Sequence, residues 1–204
     1  DVLDQIKPNT MSRLDAIQLY RKSVQVRQKE MLTVALQKIE ESALSARSKT
    51  TEEANLRSKE AELIMRFVER AKQVQAKGQV VLNDAQKAGT LLEDGDTVVI
   101  PERTSLVMVH GEVLFPNAVS WQKRNSVEDY ITQAGGFSQS ADTSKVVLIQ
   151  QNGATVLAEG GADVEAGDEI MVLPRIETKN YEVARALTQM LFQIAVTARI
   201  AVGL

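Results

Sequence analysis

The sequence contains no cysteine. That excludes disulfides and thiolate metal ligation, and it excludes a lipid-bearing N-terminal cysteine within these residues. Its one histidine, His110, leaves no room for a two-histidine metal site or a pair of catalytic histidines. Aromatic residues supply only 4% of the chain while 44% of it is hydrophobic, so any core is built mainly from aliphatic side chains. No lysine or arginine run stands out and the net charge is −3, which makes nucleic acid a poor partner. No nucleophile, base and orienting group can be assembled from what remains, so neither an enzyme nor a cofactor is expected. The chain opens at Asp1 without a basic-then-apolar leader, and any export signal is expected to have been removed or to lie outside this sequence.

What the chain does have is a repeat. Leu92-Glu93-Asp94-Gly95-Asp96-Thr97-Val98-Val99-Ile100-Pro101 returns as Val164-Glu165-Ala166-Gly167-Asp168-Glu169-Ile170-Met171-Val172-Leu173-Pro174, with the two glycines 72 positions apart. Each copy reads as a Gly-Asp turn feeding an apolar, β-branched run that a proline stops. Val80-Val81-Leu82 stands ahead of the first copy as Val146-Val147-Leu148 stands ahead of the second. The pattern is that of modules in series, and 204 residues suit elongated modules better than one large globule.

Residues 1–10 read as a lead-in ending in Lys7-Pro8-Asn9-Thr10. Residues 11–77 read as an antiparallel helical hairpin. In its first helix Ile17, Val24 and Met31, with Tyr20 and Val34, form the expected stripe, although Val24-Gln25-Val26-Arg27 also alternates like a strand. After a polar break at 45–49, Thr50 and Glu53 make a capping box, and Ala54, Ala61 and Val68 with Ile64 and Ala71 give the second helix a matching stripe. Lys77-Gly78 is its expected end. The hairpin serves as a spacer or a contact surface for a neighbouring subunit, or its two stripes simply satisfy each other.

Residues 78–105 read as the end of a first β module and 106–176 as a second. Leu106 to Pro116 is an apolar strand whose Gly111-Glu112 interruption suggests a bulge or a close backbone approach. Ser126-Val127-Glu128-Asp129 opens a helix with a capping box and a buried face of Val127, Tyr130, Ile131 and Ala134, stopped by Gly135-Gly136 at positive φ. Asn152-Gly153 between two apolar runs signals a hairpin. Asp94 with Asp96, and Asp163 with Asp168, lack the further oxygen ligands of a calcium loop and are read as turn residues. Trp121 either stacks on a sugar ring or caps a small core.

The ordered series Gly95-Asp96, Ile100-Pro101, Val109-His110-Gly111-Glu112-Val113, Val127 to Ile131, Ala134-Gly135-Gly136, Gly167-Asp168 and Val172-Leu173-Pro174 resembles the SLBB module, the soluble-ligand-binding β-grasp of bacterial polysaccharide export proteins. With the hairpin and the apolar tail, the chain is similar to the C-terminal part of proteins that export group 2 type capsular polysaccharide. The resemblance covers residues 78–204 well and the hairpin more loosely. The family's N-terminal export domain is absent, so the sequence reads as part of a longer protein. The fold class is then α+β: a long helical hairpin, β-grasp-like SLBB modules and a C-terminal amphipathic helix. The resemblance implies a homo-oligomeric ring in the periplasm and outer membrane of a Gram-negative bacterium, an exported polysaccharide, and an inner-membrane polysaccharide co-polymerase or export machinery as partner.

The tail, 180–204, is read as an amphipathic helix that spans the membrane. On a helical wheel Leu187, Met190, Leu191, Ile194, Ala195 and Ala198 share one face, while Arg185, Thr188, Gln189, Gln193 and Arg199 share the other. Residues 186–204 would reach about 28 Å, close to a hydrocarbon core of roughly 30 Å. A single such helix cannot shield its polar face in lipid, so several must turn those faces inward. In a ring of them Leu187, Met190, Leu191, Ile194 and Ala198 meet outer-membrane lipid, and Arg185, Gln189 and Gln193 line an aqueous pore. The alternative is a soluble periplasmic glycan-binding or scaffolding module whose tail docks on its own chain.

Overall fold

The computed structural model describes residues 7–44, 51–82, 89–158, 161–176 and 181–198. Its elements are β1 (Gln18–Tyr20), α1 (Lys22–Leu44), α2 (Thr51–Lys72), β2 (Gln79–Val80), β3 (Thr97–Val99), β4 (Leu106–Gly111), β5 (Asn117–Ser120), α3 (Val127–Gln133), β6 (Ala141–Ile149), β7 (Thr155–Leu157), β8 (Glu169–Pro174) and α4 (Tyr181–Ala198). The arrangement is α+β, with two sheets.

The larger sheet runs β5-β4-β8-β6-β7. β4 and β8 are parallel, and the other neighbours are antiparallel. Because side chains alternate across a strand, the sheet offers two faces; both are covered at β6 and β8, while Leu106 and Met108 of β4 stay exposed on the second. On one side Val107, Val109, Val146, Leu148, Ile170 and Val172 pack with Tyr130, Ile131 and Ala134 of α3 and its end. On the other, Val147, Ile149, Met171 and Leu173 pack with α1, α2 and α4. β8 is therefore buried through its whole apolar run from Ile170 to Leu173, which is why that run is continuous rather than alternating.

The capping box at α3 forms as its sequence demands. Ser126 Oγ accepts the Asp129 N–H at 3.2 Å, and Asp129 Oδ2 accepts the Ser126 N–H at 2.8 Å. The helix stops at Gly135 and Gly136, with φ of 86° and 89°. Gly111 is a point of close approach: at φ 85°, a Cβ there would stand 2.2 Å from the Val172 carbonyl oxygen. β4 ends there, so the strand read through to Pro116 stops at Gly111.

The helical hairpin differs from its sequence reading in start and phase. Residues 11–21 are not helical: Leu14–Ala16 make one 3-10 turn and Gln18–Tyr20 pair with β2 and β3. Val24 to Arg27, which alternate like a strand in sequence, lie inside α1. With the helix beginning at Lys22, its buried face is Leu32, Leu36 and Ile39, while Met31 and Val34 are about half exposed at 49% and 51%. The leucine and isoleucine spacing of four and three defines a stronger stripe than the sevenfold one of Ile17, Val24 and Met31. In α2 the inward face is Ile64, Phe67, Val68 and Ala71, so the expected stripe holds in its C-terminal half with Phe67 added, while Ala54 and Ala61 are only half buried. α2 ends at Lys72, earlier than Gly78; Arg70 O and Ala71 O accept the Gln73 and Val74 N–H groups at 3.1 Å, and the Lys29 ammonium takes Lys72 O and, at 2.8 Å, Val74 O just beyond the helix. Thr50 and the side chain of Glu53, the proposed capping pair, lie outside the described residues, as do 1–6, 45–49 and 199–204.

The two repeat copies share a turn but not a sheet. β3 pairs with β1, Tyr20 opposite Thr97, as β8 pairs with β6, Ile149 opposite Glu169. The strand beside the first Gly-Asp copy thus comes from before the hairpin. β2, the counterpart of Val146-Val147-Leu148 by sequence, pairs with β1 instead. The hairpin is an insertion within the small sheet rather than a unit placed ahead of it.

Candidate functional site

Each Gly-Asp turn is closed by its aspartate. Asp96 Oδ2 accepts the Glu93 N–H and Asp168 Oδ2 the Glu165 N–H, both at 2.9 Å, with the two aspartate N–H groups returning to Glu93 O and Glu165 O at 3.1 Å. The turn glycines take φ of 81° and 96°. What differs is what faces each carboxylate. Arg21 grips Asp96 with Nε at 3.0 Å and Nη2 at 2.7 Å, and the same guanidinium reaches Leu91 O and Glu93. This guanidinium, with the Glu93 N–H, holds the Asp96 carboxyl below its ordinary range. Asp168, whose side chain is also buried, accepts the Gln151 N–H at 3.2 Å where Asp96 meets a guanidinium, and burial pushes its carboxyl upward.

Arg13 holds the second turn from the side. Its guanidinium donates to the Ala166 carbonyl, Gln151 Oε1 and Glu165, and its Nε lies 3.0 Å from Asp15. The segment that carries it is fixed by Arg13 N–H to Pro101 O at 2.8 Å and Arg103 N–H to Met11 O at 2.7 Å. Gln18 Nε2 donates to Gln151 O, and Gln79 Nε2 to Asn152 O at 3.1 Å, so the small sheet is stitched to the β6–β7 hairpin.

These contacts enclose a cleft centred on Arg13. One cavity of about 300 Å³ is lined by Arg13, Asp15, Gln151, Asn152, Glu165 and Asp168 among others. A second, of about 430 Å³, shares Arg13, Asp15 and Glu165 and extends to Arg103, Thr104 and Trp121. The site is polar and charged, with one aromatic wall, which suits a hydroxyl-rich ligand better than an apolar one. The described residues contain no cluster of three or more metal-ligating side chains.

Trp121 is thus on the cleft, half buried against the α3 core. The tail residues are elsewhere. Leu187, Met190, Leu191 and Ile194 are buried in the core formed with α1, α2 and the sheet. Arg185 and Gln189 are exposed and Gln193 half buried on the outer side; the side chain of Ala198 is outside the described residues. The wheel separated the faces as the structure does, but here the apolar face meets protein. Lys77 N–H to Thr197 O, at 3.1 Å, ties the helix end to the segment after α2. Among the described residues no helix is long and apolar enough to cross a membrane. In α4, Arg185, Thr188, Gln189, Gln193 and Thr197 interrupt the apolar positions too often. His110 lies in β4, its Nε2 3.7 Å from Glu169.

Arg13, Arg21, Arg103 and Gln151 went unread in the sequence. For Arg21 and Gln151 the signal was indirect, the repeated turn carboxylates Asp96 and Asp168 each requiring a partner; Arg13 and Arg103 had none.

Residues 106–163 match the SLBB domain model. This segment is an SLBB domain. The whole chain is 55% identical, over 203 residues, to a polysialic acid transport protein, KpsD, of Escherichia coli, and equally to a second protein of that name and organism. The resemblance to polysaccharide export proteins read from the ordered motifs therefore holds along the full chain. The chain spans 36% of the length of these relatives.

Proposed function

We propose that this chain is part of a bacterial polysaccharide export machine, acting by binding and scaffolding rather than by catalysis. The observation that carries this reading is the 55% identity, over 203 residues, to proteins named for polysialic acid transport. A chimera in which this chain replaces the matching 203 residues of KpsD should restore surface polysaccharide to cells lacking KpsD. A well-expressed chimera that leaves the polymer inside the cell overturns the reading.

The finer reading is a homo-oligomeric ring in the periplasm, reaching the outer membrane and facing an inner-membrane export partner. Exposed apolar residues support an assembly contact: Leu106 and Met108 on the uncovered part of β4, with Leu114 and Phe115 after it, the last 67% exposed. Mass measurement by light scattering tests it, and a monomer at every concentration counts against it. In the membrane form α4 leaves the hairpin, Leu187, Met190, Leu191, Ile194 and Ala198 turn to lipid, and Arg185, Gln189 and Gln193 line the pore. The uncharged middle of its polar face supports this.

A specific observation favours the second reading, a periplasmic module without insertion: the apolar face of α4 is already buried in its own chain. A photoreactive lipid distinguishes the two in intact outer membranes. Labelling at Leu191 and Ile194 supports insertion, and labelling confined to other parts of the complex supports the docked helix.

A further inference from the structure

The cleft ends in a feature that the turn-closing contacts do not use. Trp121 is held before any ligand arrives: its backbone N–H donates to Ser105 O at 2.7 Å and its indole N–H to Val164 O at 2.8 Å. The next residue is locked as well, for Gln122 N–H donates to the hydroxyl of buried Tyr130 at 2.9 Å. The ring orientation is therefore preorganised. The charges around it are unequal in their commitments. Arg13 is engaged by Asp15 and Glu165. Arg103, which lines the same cavity as Trp121, has neither a side-chain hydrogen bond nor an ion pair among the described residues, and the same is true of exposed Lys123 and Arg124 in the turn that follows the tryptophan.

A fixed indole beside a guanidinium with open donors matches a particular chemistry. The apolar C–H face of a pyranose stacks on the ring, and a carboxylate on that sugar takes the planar donor fork of the arginine. We propose that the Trp121–Arg103 end of the cleft binds a carboxylate-bearing sugar unit of an acidic polysaccharide. The adjoining cavity, continuous through Arg13 and Glu165, extends the site along a polymer. Lys123 and Arg124 add long-range attraction for a polyanion. The inference rests on the export reading for the source of its ligand and on the cleft for its chemistry.

Trp121 is the single tryptophan of the chain, so its emission reports on this site. Titration of the 204-residue chain with a sialic acid hexamer should shift that emission saturably, whereas neutral maltohexaose should not. Arg103→Gln, with an unchanged melting temperature, should weaken binding of the acidic hexamer about tenfold, and added salt should weaken it in the parent chain. An equal response to both saccharides, no response to either, or undiminished binding by Arg103→Gln overturns the proposal. If binding fails while the KpsD chimera exports polymer, the cleft assignment falls and the export reading stands; binding without export gives the reverse.

Discussion

The two repeated aspartates have opposite electrostatic fates, although they close turns of the same geometry. For Asp96, Arg21 lowers the folded carboxyl below its unfolded value. Its contribution to stability is complete above the unfolded value of about 3.9 and is lost as pH falls through the folded value. For Asp168, burial raises the folded carboxyl. Its contribution is greatest below about 3.9 and is lost as pH rises through the folded value. Melting temperature against pH should show this. The deficit of Asp96→Asn relative to the parent should grow as pH rises out of the acid range, and that of Asp168→Asn should shrink. Parallel curves for the two variants would refute the distinction.

Two glycines make a second contrast at this scale. Gly111 and Gly136 both have positive φ, but a Cβ on Gly111 meets the Val172 backbone, whereas one on Gly136 meets nothing within 4 Å. Gly136→Ala should cost about 1–2 kcal/mol, from backbone conformation alone. Gly111→Ala should cost at least about 3 kcal/mol, because the β4–β8 pairing must also give way. Denaturant titration measures both, and equal losses would mean that the close approach is relieved at no cost.

Among the elements, α1 is where the phase of a helix is decided. Leu36 is 1% exposed and Met31 49% exposed. Leu36→Ala should therefore destabilise the chain by about 2–5 kcal/mol, and Met31→Ala should stay within about 0.5 kcal/mol. The reverse ranking would restore the stripe of Val24 and Met31. α3, in contrast, was legible to its capping pair and its glycine stop, because a capping box is closed within four residues and needs no distant partner. The same locality made the Asn152-Gly153 hairpin readable. The start of α1 was not readable: Gln18–Tyr20 becomes a strand only because β2 and β3, some 60 to 80 positions later, supply its hydrogen bonds.

At the scale of the molecule, α4 closes the core that the hairpin and the sheet leave open. Val147, Ile149, Met171 and Leu173 share that core with Leu187, Leu191 and Ile194. Removal of residues 181–204 should uncover this face, increase binding of a hydrophobic dye and broaden the thermal transition. A truncated chain that melts as sharply and at the same temperature as the parent would show that α4 is not needed to close the core. The candidate cleft is also a property of the whole. Arg13, Arg103, Trp121 and Glu165 come from four separated stretches of sequence: the β4–β5 and β4–β8 pairings bring Arg103, Trp121 and Glu165 together, and the packing of the small sheet onto the β6–β7 hairpin adds Arg13.

The sequence by itself determined whatever depends on neighbours along the chain: the two Gly-Asp turns, the cap and stop of α3, the Asn-Gly hairpin, the two faces of α4 and the family to which these motifs belong. Spacing along the backbone carries that information, since turns, caps and helical faces are closed within a few residues. Only the tertiary structure decided which strand lies beside β3, which arginine meets which carboxylate, and what covers the apolar face of α4. Those outcomes turn on contacts between residues far apart in the chain. A stripe of leucines states that a face must be buried, but whether protein or lipid buries it is settled by the surfaces available to pack against it.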